Sequence, residues 1–148
     1  MINRIFFSLI LLASSVFAVN LSLQNVDVES GTLQVYMEND VAVGGFQFDL
    51  TGIDISGASG GSATSNGFLV STSSTTVLGF SLTGGTIPAG EGVLLDVAFS
   101  GSPDEICLDS VVMSDPSGSA LDTQLGDCFG SDVSDDGGDD GAGDDGAG

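Results

Sequence analysis

Carboxylates are almost the only titratable groups in this chain: 21 Asp and Glu stand against one Lys or Arg and no His. A Ser or Cys nucleophile needs an activating base, and His and Lys, the usual ones, are missing. Acid–base work by two carboxylates, as in glycoside hydrolysis, is the device left open. Asp49, Asp54, Glu91, Asp96 and Asp109 are the acids that would supply it. Asp49 and Asp96 fall on the polar faces of alternating runs and Glu91 falls in a turn, where a charged residue is ordinarily just solvated. The expectation is a protein without catalysis of its own.

Metal chemistry is read the same way. Residues 131–148 read "SDVSDDGGDDGAGDDGAG", with aspartates in adjacent pairs and no glutamate. A calcium loop instead spaces its carboxylates at alternate positions, adds a turn glycine and closes with a bidentate Glu. Nonspecific condensation of Ca2+ is expected here, with Asp135, Asp136, Asp139 and Asp140 as weak candidates, and no dedicated metal site or cofactor. With only Val and Ala as apolar residues, the segment cannot offset its ordering entropy and reads as a disordered, charge-extended tail or linker. The chain stops within this repeat, as a truncated product would, or a linker whose next domain is absent.

The first eighteen residues read as an address rather than as fold. Arg4 supplies a positive start, Ile5 to Leu12 an apolar core, and Val16-Phe17-Ala18 a cleavage site. Export with cleavage after Ala18 is expected, to the extracellular space or the cell surface; a retained anchor is the alternative. Cleavage would remove Arg4 and leave the new α-amino group as the sole partner for any ion pair. So acidic a surface repels phosphate and anionic lipid, which excludes nucleic acid and anionic membranes as partners. Cations and ionic strength should matter to its stability.

The two cysteines, Cys107 and Cys128, read as a disulfide in an exported chain. Closing a loop of about twenty residues should restrict the unfolded chain by roughly 3 kcal/mol.

These groups must be carried by strands. Residues 19–130 form a succession of short alternating runs separated by Gly, Ser, Asn and Asp, which is the pattern of a single all-β sandwich or barrel. Strands are expected near Leu21 to Val28, Thr32 to Glu38, Gly45 to Thr51, Phe68 to Thr72, Thr76 to Thr83, Val93 to Phe99 and Ile106 to Met113, with a short one near Cys128. No window has a helical stripe. Alternation predicts four core rows: Leu33, Val35 and Met37; Phe46, Phe48 and Leu50; Leu78, Phe80 and Leu82; and Val93, Leu95, Val97 and Phe99. "SGASGGSATSNG" (Ser56 to Gly67) and "TGGTIPAGEG" (Thr83 to Gly92) read as turn-rich connections. Neither offers the helix N-terminus or Lys of a phosphate cradle.

A β-sandwich of this size often binds carbohydrate, and flat polysaccharide surfaces are met by exposed Trp or Tyr rings. This chain has no Trp and only Tyr36. Tyr36 lies opposite the Leu33, Val35, Met37 row, so it is expected outside. Gln47, Asn39 and Asp49 would offer hydrogen bonds. Tyr36, Gln47 and Asp49 are the residues taken for a binding face.

The order "GTLQVYMEND", "VAVGGFQFDLTG", "GFLVSTSSTTVLGFSLTGG" and "IPAGEGVLLDVAFS" resembles a cohesin domain over about Ser30 to Met113. In that family a strand ending near an Asn leads into a glycine-containing strand with core aromatics. A later Gly-x-Gly-Val-Leu segment, here Gly90 to Leu94, opens a long strand ending in Phe99. The resemblance implies a jelly-roll-like β-sandwich of about nine strands and a dockerin-like protein partner, with calcium-loaded loops of its own, bound on one exposed sheet face. Where many cohesins continue with Tyr-Asp-Pro, this chain has "TGIDISGASGG", and the cysteine pair is not a general feature of the family. The function expected is a secreted, non-catalytic interaction module within a polysaccharide-degrading or surface-attached assembly. A carbohydrate-binding module and a structural adhesin repeat are the alternatives.

Overall fold

A computed structural model of the protein describes residues 18–130. The expected leader other than Ala18, and the acidic tail with Asp135, Asp136, Asp139 and Asp140, lie outside the described residues. The elements are β1 (Val19–Asp27), β2 (Thr32–Asn39), β3 (Gly45–Thr51), β4 (Asp54–Ser59), α1 (Gly61–Ser65), β5 (Leu69–Thr72), β6 (Thr76–Phe80), β7 (Gly90–Ser100), β8 (Cys107–Ser114), β9 (Ala120–Leu121) and β10 (Thr123–Leu125). They build two five-stranded sheets, β10-β1-β2-β7-β4 and β5-β6-β3-β8-β9, called here the first and second sheet. The chain passes between sheets repeatedly, so hydrogen-bonded neighbours such as β2 and β7 are distant in sequence. This is the all-β, jelly-roll-like sandwich that the alternation and the resemblance predict.

The first hairpin has a local cause. Between β1 and β2, Ser30 N and Ser30 Oγ donate to the Asp27 carboxylate at 3.0 and 2.9 Å, and Gly31 N donates to Asp27 O at 2.8 Å. The side chain of Asp27 thus imitates a backbone turn. Gly31 has a φ of 72°, where L-residues are strained, and a Cβ there would also strike the Phe99 carbonyl.

Two of the expected core rows face inward as predicted. Leu33, Val35 and Met37 from β2 and Phe46, Phe48 and Leu50 from β3 are all buried. The Phe46 ring stacks on Phe48 and Phe68 at centroid separations of 6.0 and 5.9 Å.

The third row is corrected: Leu78 and Leu82 are exposed, Phe80 is half-buried, and β6 turns Val77 and Gly79 to the core. The cause is Phe46. A Cβ on Gly79 would lie 2.2 Å from its Cζ, so glycine is the residue that lets the ring occupy this layer. The fourth row is corrected at one end. A bulge in the β2–β7 ladder, between the Val35–Leu95 and Tyr36–Val93 pairs, inserts Leu94 as an extra inward residue. Leu94, Leu95, Val97 and Phe99 are buried, while Val93 is only half-buried beside Tyr36.

Alternation also passed over β4 and α1, both within or beside the glycine- and serine-rich connection. β4 pairs with β7 at the edge of the first sheet. α1 is a five-residue turn of helix, too short for a stripe, that buries Ala63 and is tied down where Ser62 Oγ donates to Val93 O at 2.9 Å. β9 and β10 add short edge pairings, and β10 runs parallel to β1. The strand expected near Cys128 is a single bridge between Ile106 and Phe129. Next to it, Cys107 and Cys128 form the expected disulfide, with Cα atoms 4.4 Å apart.

Candidate functional site

Tyr36 does not share a surface with Gln47 and Asp49. Tyr36 is on β2 of the first sheet, whereas Gln47 and Asp49 are on β3 of the second, so the residues taken for one face point to opposite sides of the sandwich. Strand phase alone places a residue on the outside of its own sheet and says nothing about which sheet that is.

The outer surface of the first sheet is polar and largely self-satisfied. Asn25 Nδ2 donates to Gln34 Oε1 at 2.6 Å, and Gln34 Nε2 donates to Asp96 Oδ1 at 3.0 Å, linking β1, β2 and β7. Tyr36 is half-buried beside this chain of bonds. Partial desolvation, and then the Glu91 and Glu38 carboxylates, raise its phenol pKa. Glu38 and Glu91 are cross-strand partners, a like-charge pair at the edge of a polar hollow of about 490 Å³ that Asn20, Asn39 and Asp40 also line. Asn39 is only 5% exposed and its Nδ2 donates to Val41 O and Pro88 O at 2.9 and 3.0 Å. It therefore holds two loop carbonyls, and the hydrogen-bonding role toward a ligand expected for it is corrected to a structural one.

The outer surface of the second sheet differs. Cross-strand register aligns Ser71, Leu78, Gln47 and Val112 in one row over β5, β6, β3 and β8. The next row holds Leu69, Phe80, Gly45 and Ser114. Leu69, Leu78 and Val112 are 48, 38 and 54% exposed, so this face presents three large apolar side chains to water. Gly45 has no side chain, so a hollow of about 350 Å³ opens between Leu78, Phe80, Val112 and Ser114, with Gln47 at its side.

On the far side of Gln47 lies a third row, Thr76, Asp49 and Asp109. Thr76 Oγ1 donates to Asp49 Oδ1 at 2.7 Å, and Asp109 Oδ1 accepts from Ser110 N at 2.8 Å. A bulge in β8, where Ser110 has a φ of 48°, brings Asp109 into register with Asp49.

The five acids considered for catalysis are divided between the sheets. Asp49 and Asp109 are on the second, and Asp54, Glu91 and Asp96 on the first. Each carboxylate is on an outer surface or strand end, not in an enclosed cleft.

Alternation places Leu78 in the core and gives Leu69 and Val112 no binding role, whereas the structure exposes all three on this face. One signal was available in "TVLGF": a glycine inside a strand marks a close approach, and placing Gly79 inward sends Leu78 outward.

The two-sheet, jelly-roll-like sandwich of this chain is the fold of cohesin modules. It superposes on a non-cellulosomal cohesin from the hyperthermophilic archaeon Archaeoglobus fulgidus with a TM-score of 0.54 and 18% identity, over 72% of this chain and 85% of that one. The OlpC cohesin of Clostridium thermocellum, solved in a type I cohesin–dockerin complex, gives a TM-score of 0.57 and 16% identity over 76% of this chain and 92% of its own. The sixth cohesin of scaffoldin B from Acetivibrio cellulolyticus, solved with a mutant dockerin, gives 0.53 and 16% over 74% and 94%. No family model matches the chain, and no curated protein does at a significant level.

Proposed function

We propose that this chain is a secreted, non-catalytic interaction module that receives a dockerin-like protein on the outer face of β5, β6, β3 and β8. One observation carries the reading: Leu78 and Val112 are exposed at the hollow over Gly45, with Leu69 exposed on β5 of the same sheet face. Apolar side chains gathered on one surface are what a partner would cover. The dockerin-bound cohesins of like fold support a protein as the occupant. Export is supported by the leader-like first eighteen residues and by the disulfide, which belongs in an oxidising compartment. Among the described residues no helix is long and apolar enough to cross a membrane.

Glycan binding would draw on the opposite face, around Tyr36. There the Asn25, Gln34 and Asp96 side chains hydrogen-bond one another, which leaves fewer groups for a sugar and favours the protein partner.

The test is capture from the secreted fraction of the source organism with the full chain as bait, in calcium and then in chelator. A discrete protein held in calcium, released by chelator and lost with Leu78→Asp/Val112→Asp supports the reading. Retention by that double variant, with loss in Tyr36→Ala, sinks it.

A further inference from the structure

We propose that Glu105 shields the Cys107–Cys128 disulfide from anionic thiols, and so selects the class of reductant that can open the C-terminal end of the sandwich.

Geometry supplies the first argument. A carboxylate oxygen of the exposed Glu105 side chain lies within 4.8 Å of both cysteine sulfurs. The backbone fixes it there: a Cβ on Gly52 would strike the Glu105 carbonyl and one on Gly130 the Asp104 carbonyl, so two glycines let this segment pack closely. Both cysteines are half-buried, which leaves the bond open to a small reagent. Residues 18–130 contain no Lys, Arg or His that could neutralise Glu105. While the bond stands, the three groups are no metal site, because a metal takes the thiolate and not the disulfide.

The exchange reaction supplies the second. A thiolate attacks one sulfur, a mixed disulfide forms, and the S–S bond breaks with its electron pair on the other sulfur, which departs as a thiolate. A second reagent thiolate then displaces the remaining cysteine, leaving two protein thiols, protonated by water, and the oxidised reagent. Glu105 opposes this twice: it repels the arriving anion, and it raises the energy of the thiolate that departs beside it. A carboxylate on the reagent adds to the repulsion, whereas an ammonium group offsets it.

The bond guards a junction. Cys128 adjoins Phe129, whose bridge to Ile106 closes this end of the fold. The loop between the two cysteines contains β9 and β10, and β10 pairs in parallel with β1. Reduction would therefore loosen the strand that flanks the first one.

The experiment follows reduction of the oxidised full chain by mercaptopropionate, mercaptoethanol and cysteamine, with alkylation and mass measurement at timed points. The attacking thiolates carry net charges of two, one and zero negative units. Rates are taken as the ratio of Glu105→Gln to wild type for each reagent, so that differences in the reagents' own pKa cancel. With mercaptoethanol the ratio should be about fivefold, the factor that two unit charges about 4 Å apart exert on each other in water. It should be larger with mercaptopropionate and smaller with cysteamine, and the spread should narrow with added salt. Glu91→Gln removes a charge at the start of β7, whose other end leads to Cys107, and should leave all three rates nearly unchanged. A variant that merely loosened the fold would speed the three reagents alike, so their ordering is the test. Equal ratios for the three, or the same ordering in Glu91→Gln, would overturn the proposal. So would a wild-type rate independent of thiol concentration, because the bond would then be reached only by opening of the fold.

Discussion

The Phe46 ring occupies the space that a side chain on Gly79 would need: a Cβ there would stand 2.2, 2.4 and 2.7 Å from its Cζ, Cε2 and Cε1. This contact across β3 and β6 sets the phase of β6. It sends Leu78 to the surface, and through Leu78 it shapes the hollow over Gly45. Gly79→Ala should therefore destabilise the protein by about 1–3 kcal/mol, the usual cost of overpacking a rigid site. Adding Phe46→Leu to Gly79→Ala should recover part of that loss, because the two residues share one volume. Urea melts of the wild type, both single variants and the double variant give the coupling. Strict additivity would show that the contact does not govern the strand.

The disulfide joins the first residue of β8 to Cys128, twenty-one positions later, and sits beside the Ile106–Phe129 bridge. Replacing both cysteines by Ser should cost roughly 3 kcal/mol. For a domain of this size each kcal/mol moves Tm by about 4–8 °C, so calorimetry should show a fall of more than about 10 °C. The same drop should follow reduction of the native protein, and a fall of only a degree or two would contradict the expectation.

Asp115 organises the turn after β8. Its Oδ1 accepts from Ser117 Oγ, Ser117 N and Ser119 N at 2.7, 2.9 and 2.9 Å. The Ser117 hydroxyl first, and the Ser119 amide next, lower its pKa. A carboxyl whose folded pKa lies below its unfolded value of about 3.9 contributes stability that is complete above that value. The contribution is lost as pH falls through the folded pKa. The stability difference between wild type and Asp115→Ala should thus be constant from neutral pH down to the ordinary carboxylate range and shrink below it. A difference that stays unchanged at still lower pH would refute the assignment. Asp27, held low by the Ser30 amide and hydroxyl, should behave in the same way.

With 21 acids and a single cationic side chain, Arg4, the folded chain repels itself. Screening reduces that repulsion, since the Debye length shortens from about 30 Å at 0.01 M to about 3 Å at 1 M salt. Tm at neutral pH should therefore rise steadily with NaCl over this range, and a flat or falling trend would exclude self-repulsion as a significant term.

Much of the fold was legible in the chain itself. The strand Gly45–Thr51 has the bounds its sequence implies, because strict alternation ending at Gly52 leaves one phase that buries Phe46, Phe48 and Leu50. The β2 row and the polar setting of Asp49 and Asp96 follow from the same local rule, and the cysteine pair from an even count in a chain that reads as exported. The short helix α1 and the edge strands β9 and β10 escaped because elements of two to five residues carry too little periodicity to register.

Composition and alternation by themselves determined the all-β class, the positions of most strands and the lack of Lys, Arg and His side chains in residues 18–130, since these depend on residue type and on a period of two. Only the tertiary structure decided which sheet each strand joins, and hence that Tyr36 faces away from Gln47 and Asp49. It also decided that Leu78 faces water while Gly79 faces Phe46, and that the bulge in β7 adds Leu94 to the core. Strand partnership and phase are settled by volumes contributed from residues far apart in the chain, such as the Phe46 ring against Gly79, and no local pattern encodes that competition for space.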